Sequence, residues 1–278
     1  MTNRKIKNLF KSYALTEGAG VTVHRSIGTP ACRNLDPFVM LDHFGSDHPD
    51  DYIAGFPDHP HRGFITFTYM LDGTMRHHDS MGNEGNLESG GAQWMKAGSG
   101  VIHSEMPQQE NGLMRGFQLW INLPTKLKMS APNYTDLQAE EIPIHNDNGA
   151  LVKVLIGKYK NIVGAVTDNV TNTSYLDISL QADSNLIIET PISHTAFIYV
   201  FEGSIQVEDK LLSTHSFASL SEGERLVLQT SNTTGRAIVV TAKPIGEPIV
   251  QHGPFVMNTQ EEIEQAMRDY RDGNLVAQ

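Results

Sequence analysis

The chain has 278 residues, 39% of them hydrophobic and 19% charged, with a formal net charge of −11. That length exceeds one ordinary core, so two domains are expected, and the composition excludes a disordered chain. The acidic balance, with no run of basic residues, excludes nucleic-acid or anionic-membrane binding driven by charge.

Taken in chain order, the N-terminal stretch MTNRKIKNLFKSYAL has no continuous apolar segment and no small-residue cleavage site, so no signal peptide is expected. Cys32 is the only cysteine, which rules out an internal disulfide and fits a reducing compartment; its expected role is that of a small packed side chain. No apolar run approaches the ~20 residues that span a bilayer. The expectation is a cytoplasmic protein without membrane contact. Short strands are predicted at Gly20–His24, Gly63–Leu71, Leu151–Ile156, Ser174–Leu180, Ala196–Phe201, Arg225–Gln229 and Ala237–Thr241. They are rich in β-branched and aromatic residues, and turn pairs such as Asp72-Gly73 and Glu202-Gly203 follow them.

Strands this short and evenly spaced predict an all-β chain of barrels or sandwiches. A helix is predicted at the end. Thr259 can cap it with Glu262 completing a capping box, Ile263, Ala266, Met267 and Tyr270 recur at helical spacing, and Gly273 stops the run. The stretch Phe64–Gly73 (FITFTYMLDG) echoes Thr195–Gly203 (TAFIYVFEG), as two copies of one barrel design would. Prolines 124, 132 and 143 and the Asn146–Gly149 turn interrupt the pattern between them. The expected domains are residues 1–130 and residues 131–278, the second ending in the helix.

The chemistry concentrates in the first half, where eight of twelve histidines lie before residue 110. In His59-Pro60-His61 the two imidazoles, two residues apart, share one face of an extended chain. Later the Gly98-Ser99-Gly100 turn feeds a strand on which His103 and Glu105 share a face. If the two strands are neighbours, three imidazoles and one carboxylate converge as metal ligands. Imidazole suits iron, nickel, copper and zinc, and a carboxylate also admits manganese. Four protein ligands leave an octahedral ion two open positions, as a catalytic site requires, and a structural thiolate site is excluded.

These residues resemble the pirin family of the cupin superfamily. The stretches that carry the resemblance are Arg25-Ser26-Ile27-Gly28, Asn34-Leu35-Asp36-Pro37-Phe38, His59-Pro60-His61-Arg62-Gly63-Phe64, His103-Ser104-Glu105-Met106-Pro107, Gln118 through Pro124, and Gly253 through Thr259. The resemblance implies a bicupin of two stacked antiparallel β-barrels, with metal only in the N-terminal one, held by His59, His61, His103 and Glu105. It implies one divalent transition metal: iron first, with nickel, copper, manganese, zinc or cobalt as alternatives. It further implies either a quercetinase-type dioxygenase, in which Glu105 and His103 carry catalysis on a flavonol-like substrate, or a regulatory protein that docks on a partner such as a transcription factor or metabolic enzyme. A monomer is expected. Three positions depart from the family's pattern: Ile65, His43 and His78 stand where acids are common, and this is expected to change the charge around the site.

Among secondary candidates, His77 is weighed between lining the pocket and a solvated turn after a strand, and Arg62 between an anion contact and a structural ion pair. Gln118 and Trp120 alternate with Phe117 and Leu119, so one face could look into the pocket, but core packing is the expected role. His194, His215 and His252 stand apart, so no second metal is expected.

Overall fold

The computed structural model describes residues 1–109 and 111–276, and its strands include each predicted one: Val21–Ile27, Phe64–Asp72, Ala150–Ile156, Ser174–Leu180, Thr195–Val207, Arg225–Gln229 and Gly235–Ala242. The chain forms two compact units. One comprises Tyr13–Ala139 with Ile245–Gln278, the other Met1–Ser12 with Glu140–Pro244. No described helix is long and apolar enough to cross a membrane.

The first unit holds two large antiparallel sheets and a two-stranded one, Val250–His252 with Phe255–Met257. A seven-stranded sheet runs in the order Asn133–Leu137, Ala92–Lys96, Phe64–Asp72, Met114–Asn122, Phe38–Ser46, Val21–Ile27 and Tyr13–Glu17. A four-stranded sheet runs in the order Phe56–His61, Val101–Pro107, Met75–Asp79 and Glu84–Leu87. The alternation of each strand decides what faces the interior. Along Met75–Asp79, for example, Met75, His77 and Asp79 are buried while Arg76 and His78 are exposed.

The second unit is built on one ten-stranded sheet. Its interior is aliphatic, with Val152, Val154, Ile178, Ile198, Leu226 and Leu228 at 0% exposure. His215 in this unit bonds Tyr199 through Nδ1 at 3.0 Å.

The two units do not follow the expected division at residue 130. Residues 1–12 go with the second unit because Ile6–Lys11 needs a partner for its backbone and finds it in Ser216–Leu220. Arg4 fixes the same segment, donating to Thr190 Oγ1, Ser221 O and Pro191 O. The terminal helix goes with the first unit. It spans Gln260–Arg271 with the expected Thr259–Glu262 capping box, and Ile263 and Ala266 pack on Phe255, Met257, Leu275 and Ile102. Met267 and Tyr270, counted on its apolar stripe, stay exposed.

A buried cation ties this unit together behind the His-Pro-His strand. Lys128 is 1% exposed and donates from Nζ to Gly63 O at 2.9 Å, Asn122 Oδ1 at 2.6 Å and Val256 O at 2.7 Å. Burial pulls its ammonium down to about 8, with Glu262 and Glu247 opposing. Replacing Lys128 by Met would leave three buried acceptors without their donor. We expect Lys128→Met to cost roughly 3 kcal/mol in urea unfolding; a loss below about 1 kcal/mol would show that the acceptors find other donors.

Candidate metal centre

The Phe56–His61 strand is the edge of the four-stranded sheet, which tolerates its two prolines. It pairs antiparallel with Val101–Pro107, setting His103 opposite His59 and Val101 opposite His61. The turn that feeds the second strand requires glycine twice. Gly98 has φ +50° and Gly100 φ +147°, and a Cβ on either would collide with a backbone carbonyl, of Ser130 and Leu275 respectively. On the far side of Val101–Pro107 runs Met75–Asp79, with His103 opposite Asp79 and Glu105 opposite His77.

This register brings three of the four expected ligands together. His59, His61 and His103 each offer a ligand atom, and these lie within 4.8 Å of one another. The rings are 4.7 Å apart for His59–His61, 4.3 Å for His59–His103 and 4.9 Å for His61–His103. Burial lowers the pKa of all three; it is reinforced at His61 by His59 and at His103 by the other histidines, and opposed at His59 by the Pro57 carbonyl. Neutral imidazoles with lone pairs are what a metal requires. At His59, Nδ1 donates to Pro57 O at 2.8 Å, which leaves Nε2 as the lone pair. Nε2 of His103 is buried with no hydrogen-bond partner among the described residues, whereas His61 has the Pro254 backbone beside it, which opposes the lowering of its pKa. A buried, unpartnered polar atom is costly, and a cation at the centre of the trio relieves that cost, so the residues present fit a metal.

Glu105 stands on the same strand as His103 but outside that trio. It is 4% exposed. Its Oε1 lies 3.1 Å from Thr68 Oγ1, and Gln118 Nε2 reaches Oε2 at 3.4 Å. Burial drives its carboxyl up to about 7, with Thr68 opposing. The site thus carries a carboxyl poised to hold or release a proton near neutrality.

A cavity of about 1150 Å³ opens beside these groups, with His59, His61 and Glu105 on its wall. Trp120, Phe44, Phe56 and Met40 supply an apolar lining. Arg25 and Asp42 add a bidentate ion pair at 2.7 and 2.6 Å, with Glu17 on the same guanidinium at 2.7 Å.

Several expectations change here. Gln118 and Trp120 line the cavity, while Phe117 and Leu119 face the opposite side and are fully buried. The Trp120 ring meets His61 edge-on at 5.1 Å and Phe64 at 4.3 Å. Arg62 makes the structural ion pair, to Asp269 Oδ2 at 2.6 Å, and also donates to Ser99 O and Leu275 O. His77 sits neither in a solvated turn nor on the cavity wall. It is 1% exposed, stacks on Tyr134 at 4.4 Å and lies behind His103. Burial lowers its pKa against the pull of Asp79. Asp79, which the sequence reading passed over, is buried, and bonds from Asn83, His77 and Met81 outweigh that burial and lower its pKa.

The three positions at which the resemblance implies acids do not reach the site. Ile65 alternates with Phe64, Thr66 and Thr68, which face it, so Ile65 points the other way. His43 stacks on Phe117 at 4.7 Å, whereas its neighbour Asp42 lines the cavity. His78 is exposed.

The raised carboxyl of Glu105 has a thermodynamic signature in metal-free protein. Between pH 4.5, its ordinary value, and about 7, the folded state keeps a proton that the unfolded state releases. Stability conferred by that proton is complete at low pH and is lost as pH rises through 7, by about 3 kcal/mol. Glu105→Gln cannot titrate. Urea unfolding of both proteins at pH 4.5 and 8 should show the variant gaining about that much on the parent across the range; a constant difference would return the carboxyl to its ordinary value.

Comparison with known proteins agrees with this geometry. The pirin family pattern matches residues 20–121 and the pirin C-terminal cupin domain pattern residues 175–276. A Pseudomonas aeruginosa protein carried under a provisional quercetin 2,3-dioxygenase name is 48% identical over 280 residues, covering 98% of each chain. The crystal structure of a quercetin 2,3-dioxygenase from Acinetobacter baumannii superposes with a TM-score of 0.91 at 31% identity, covering 99% of each chain. The Escherichia coli bacterial pirin YhhW, solved in complex with nickel(II), shares the fold at a TM-score of 0.68 and 17% identity, covering 85% of this chain and 98% of its own. With its halves matched in order and relatives aligned from end to end, the chain belongs to the pirin family of two-domain cupin proteins.

Proposed function

We propose that this chain is a metal-dependent dioxygenase of the quercetin 2,3-dioxygenase kind, acting on a flavonol-like substrate. The observation that carries the reading is the junction of the His59–His61–His103 trio and the Glu105 carboxyl with a large cavity walled by aromatic and aliphatic side chains. A donor set of three imidazoles and one carboxylate, with no thiolate, suits a divalent first-row metal, iron foremost. Nickel in the Escherichia coli relative belongs to the same series. When bound, such an ion supplies Lewis acidity towards a substrate oxygen and one-electron chemistry towards O₂.

The remaining work falls to side chains of this protein. Trp120 and Phe44 offer flat surfaces to a planar polycyclic substrate. Glu105, as carboxylate, accepts the proton of an acidic substrate hydroxyl, and its raised pKa matches that task at neutral pH. Thr68 and Gln118 hold the carboxyl in place before and after the transfer. We assign Glu105 the further role of a fourth ligand, which it takes once ionised, and His103 that of the ligand beside it on the same strand. Trp120, Phe44, Phe56 and Met40 face the reacting ring with apolar surface, and the Arg25–Asp42 pair offers polar groups to substrate hydroxyls.

Purified protein should hold about one metal ion per chain, and His61→Ala should lose it in elemental analysis. Iron- or nickel-loaded protein should consume O₂ with quercetin, and Glu105→Gln should lower that rate by about 10²-fold or more while His61→Ala abolishes it. A metal-loaded protein silent towards flavonols would remove the enzymatic reading and leave a metal-dependent regulatory protein. Metal content no higher in the parent than in His61→Ala would remove the metal centre itself.

A further inference from the structure

The trio explains which atoms bind a metal but not what holds His103 in the right protonation pattern. A histidine can ligate through Nε2 only if its proton sits on Nδ1, and that choice is made by whatever Nδ1 faces. His59 has a carbonyl for this purpose, Pro57 O. At His103, Nδ1 instead faces Nδ1 of His77 at 3.5 Å. Two ring nitrogens facing each other must divide into one donor and one acceptor.

Asp79 decides the division. Its Oδ1 accepts from the backbone N–H groups of Met81 at 2.8 Å and Asn83 at 3.0 Å. The Asn83 side-chain amide donates to Oδ2 at 2.9 Å. The same Oδ2 lies 3.1 Å from Nε2 of His77. A carboxylate only accepts, so the His77 proton sits on Nε2, and His77 Nδ1 is left as a lone pair. That lone pair is satisfied by Nδ1–H of His103, which places the His103 lone pair on Nε2, the buried atom with no partner among the described residues. Stacking on Tyr134 at an interplanar angle of 23° fixes the His77 ring, and Tyr134 is itself held by donating to Asp136 Oδ2 at 2.5 Å.

We infer that Asp79 and His77 form a carboxylate–imidazole relay that positions His103, locking it as the Nδ1–H tautomer with Nε2 aimed at the metal. The inference rests on the reading of His59, His61 and His103 as metal ligands. Both are positioning residues: neither lines the cavity, so neither touches a substrate held there. Their substitution therefore acts on metal affinity and on the protonation pattern of His103.

The tautomer can be read in the intact, metal-free protein. A long-range ¹H–¹⁵N correlation spectrum of ¹⁵N-histidine-labelled chain should show His103 protonated on Nδ1. Asp79→Asn should reverse it. Two backbone donors hold the amide oxygen at the Oδ1 position, where the Asn83 side-chain amide, 3.2 Å away, can also donate, so the amide NH₂ falls opposite His77 Nε2 and the whole chain of protons shifts by one, leaving His103 protonated on Nε2. Nickel(II) affinity, by competition with a chelator, should fall about 10–100-fold in His77→Ala and Asp79→Asn. His77→Gln should stay near the parent, because its amide can accept from His103 and donate to Asp79 at once. His103 protonated on Nε2 in the parent, or unchanged nickel affinity in both His77→Ala and Asp79→Asn, would overturn the relay. Should His77→Ala fail to fold, the parent spectrum alone still decides. If the parent bound no nickel, the metal reading would fall while the spectrum still tested the relay, and a lack of flavonol turnover would touch neither readout.

Discussion

The antiparallel pairing of Phe56–His61 with Val101–Pro107 is the constraint on which the rest of the site depends. Because side chains alternate along a strand, a slip of one residue would turn His59 and His61 away from the interior together. The register is held at the end where Val101 faces His61. There the Gly98–Gly100 turn passes close to neighbouring carbonyls, so that a Cβ on either glycine would collide. At the same end Arg62, next to His61, donates to Ser99 O in that turn and anchors the strand to Asp269 on the terminal helix. The helix is thus a brace for the ligand strand, and its ion pair is largely withdrawn from water on the arginine side. A charge-assisted bond in that setting is worth more than an exposed one.

Burial then sets the chemistry. Three imidazoles and a carboxyl, buried or half-buried together, all favour their neutral forms, the imidazoles by losing protons and the carboxyl by keeping one. Were a divalent ion held by the three imidazoles, its charge would favour ionisation of Glu105. Asp79 remains charged in the same interior only because backbone and side-chain donors converge on it. With a divalent cation bound, ionised Glu105 and Asp79, the latter through the proposed relay, would together supply two negative charges against it. That balance lowers the cost of holding the ion away from water.

Much of this was legible in the sequence, and the limits have a common cause. The spacing of His59 with His61, and of His103 with Glu105, is local information, and strand alternation turns it into a shared face. The closing helix was legible from the Thr259–Glu262 capping box. Whatever depended on which strands are neighbours was not. Residues 1–12 leave the first half because Ile6–Lys11 pairs with Ser216–Leu220, some two hundred positions away. Asp79 shares a face with His77 by alternation alone, yet its importance comes from lying across from His103 on the next strand. For Gln118 and Trp120 the sequence showed the alternation but not which face met the cavity, and Phe117 and Leu119 turned out to be the core-facing pair.

Strand alternation also keeps Ile65, His43 and His78, the positions where the resemblance implies acids, off the site. Each of the three has a neighbour of opposite facing that the site uses: Phe64 and Thr66 beside Ile65, Asp42 beside His43, His77 beside His78. A residue one position away on a strand sits on the other side of the sheet, so an acid removed there leaves the interior charge untouched. The residues that face inward are the ones with exacting partners. Asp42 needs Arg25 to compensate its burial, and His77 needs Asp79. Cavity-facing side chains and side chains facing away from the cavity therefore alternate along the same strands, with the period of the pleat.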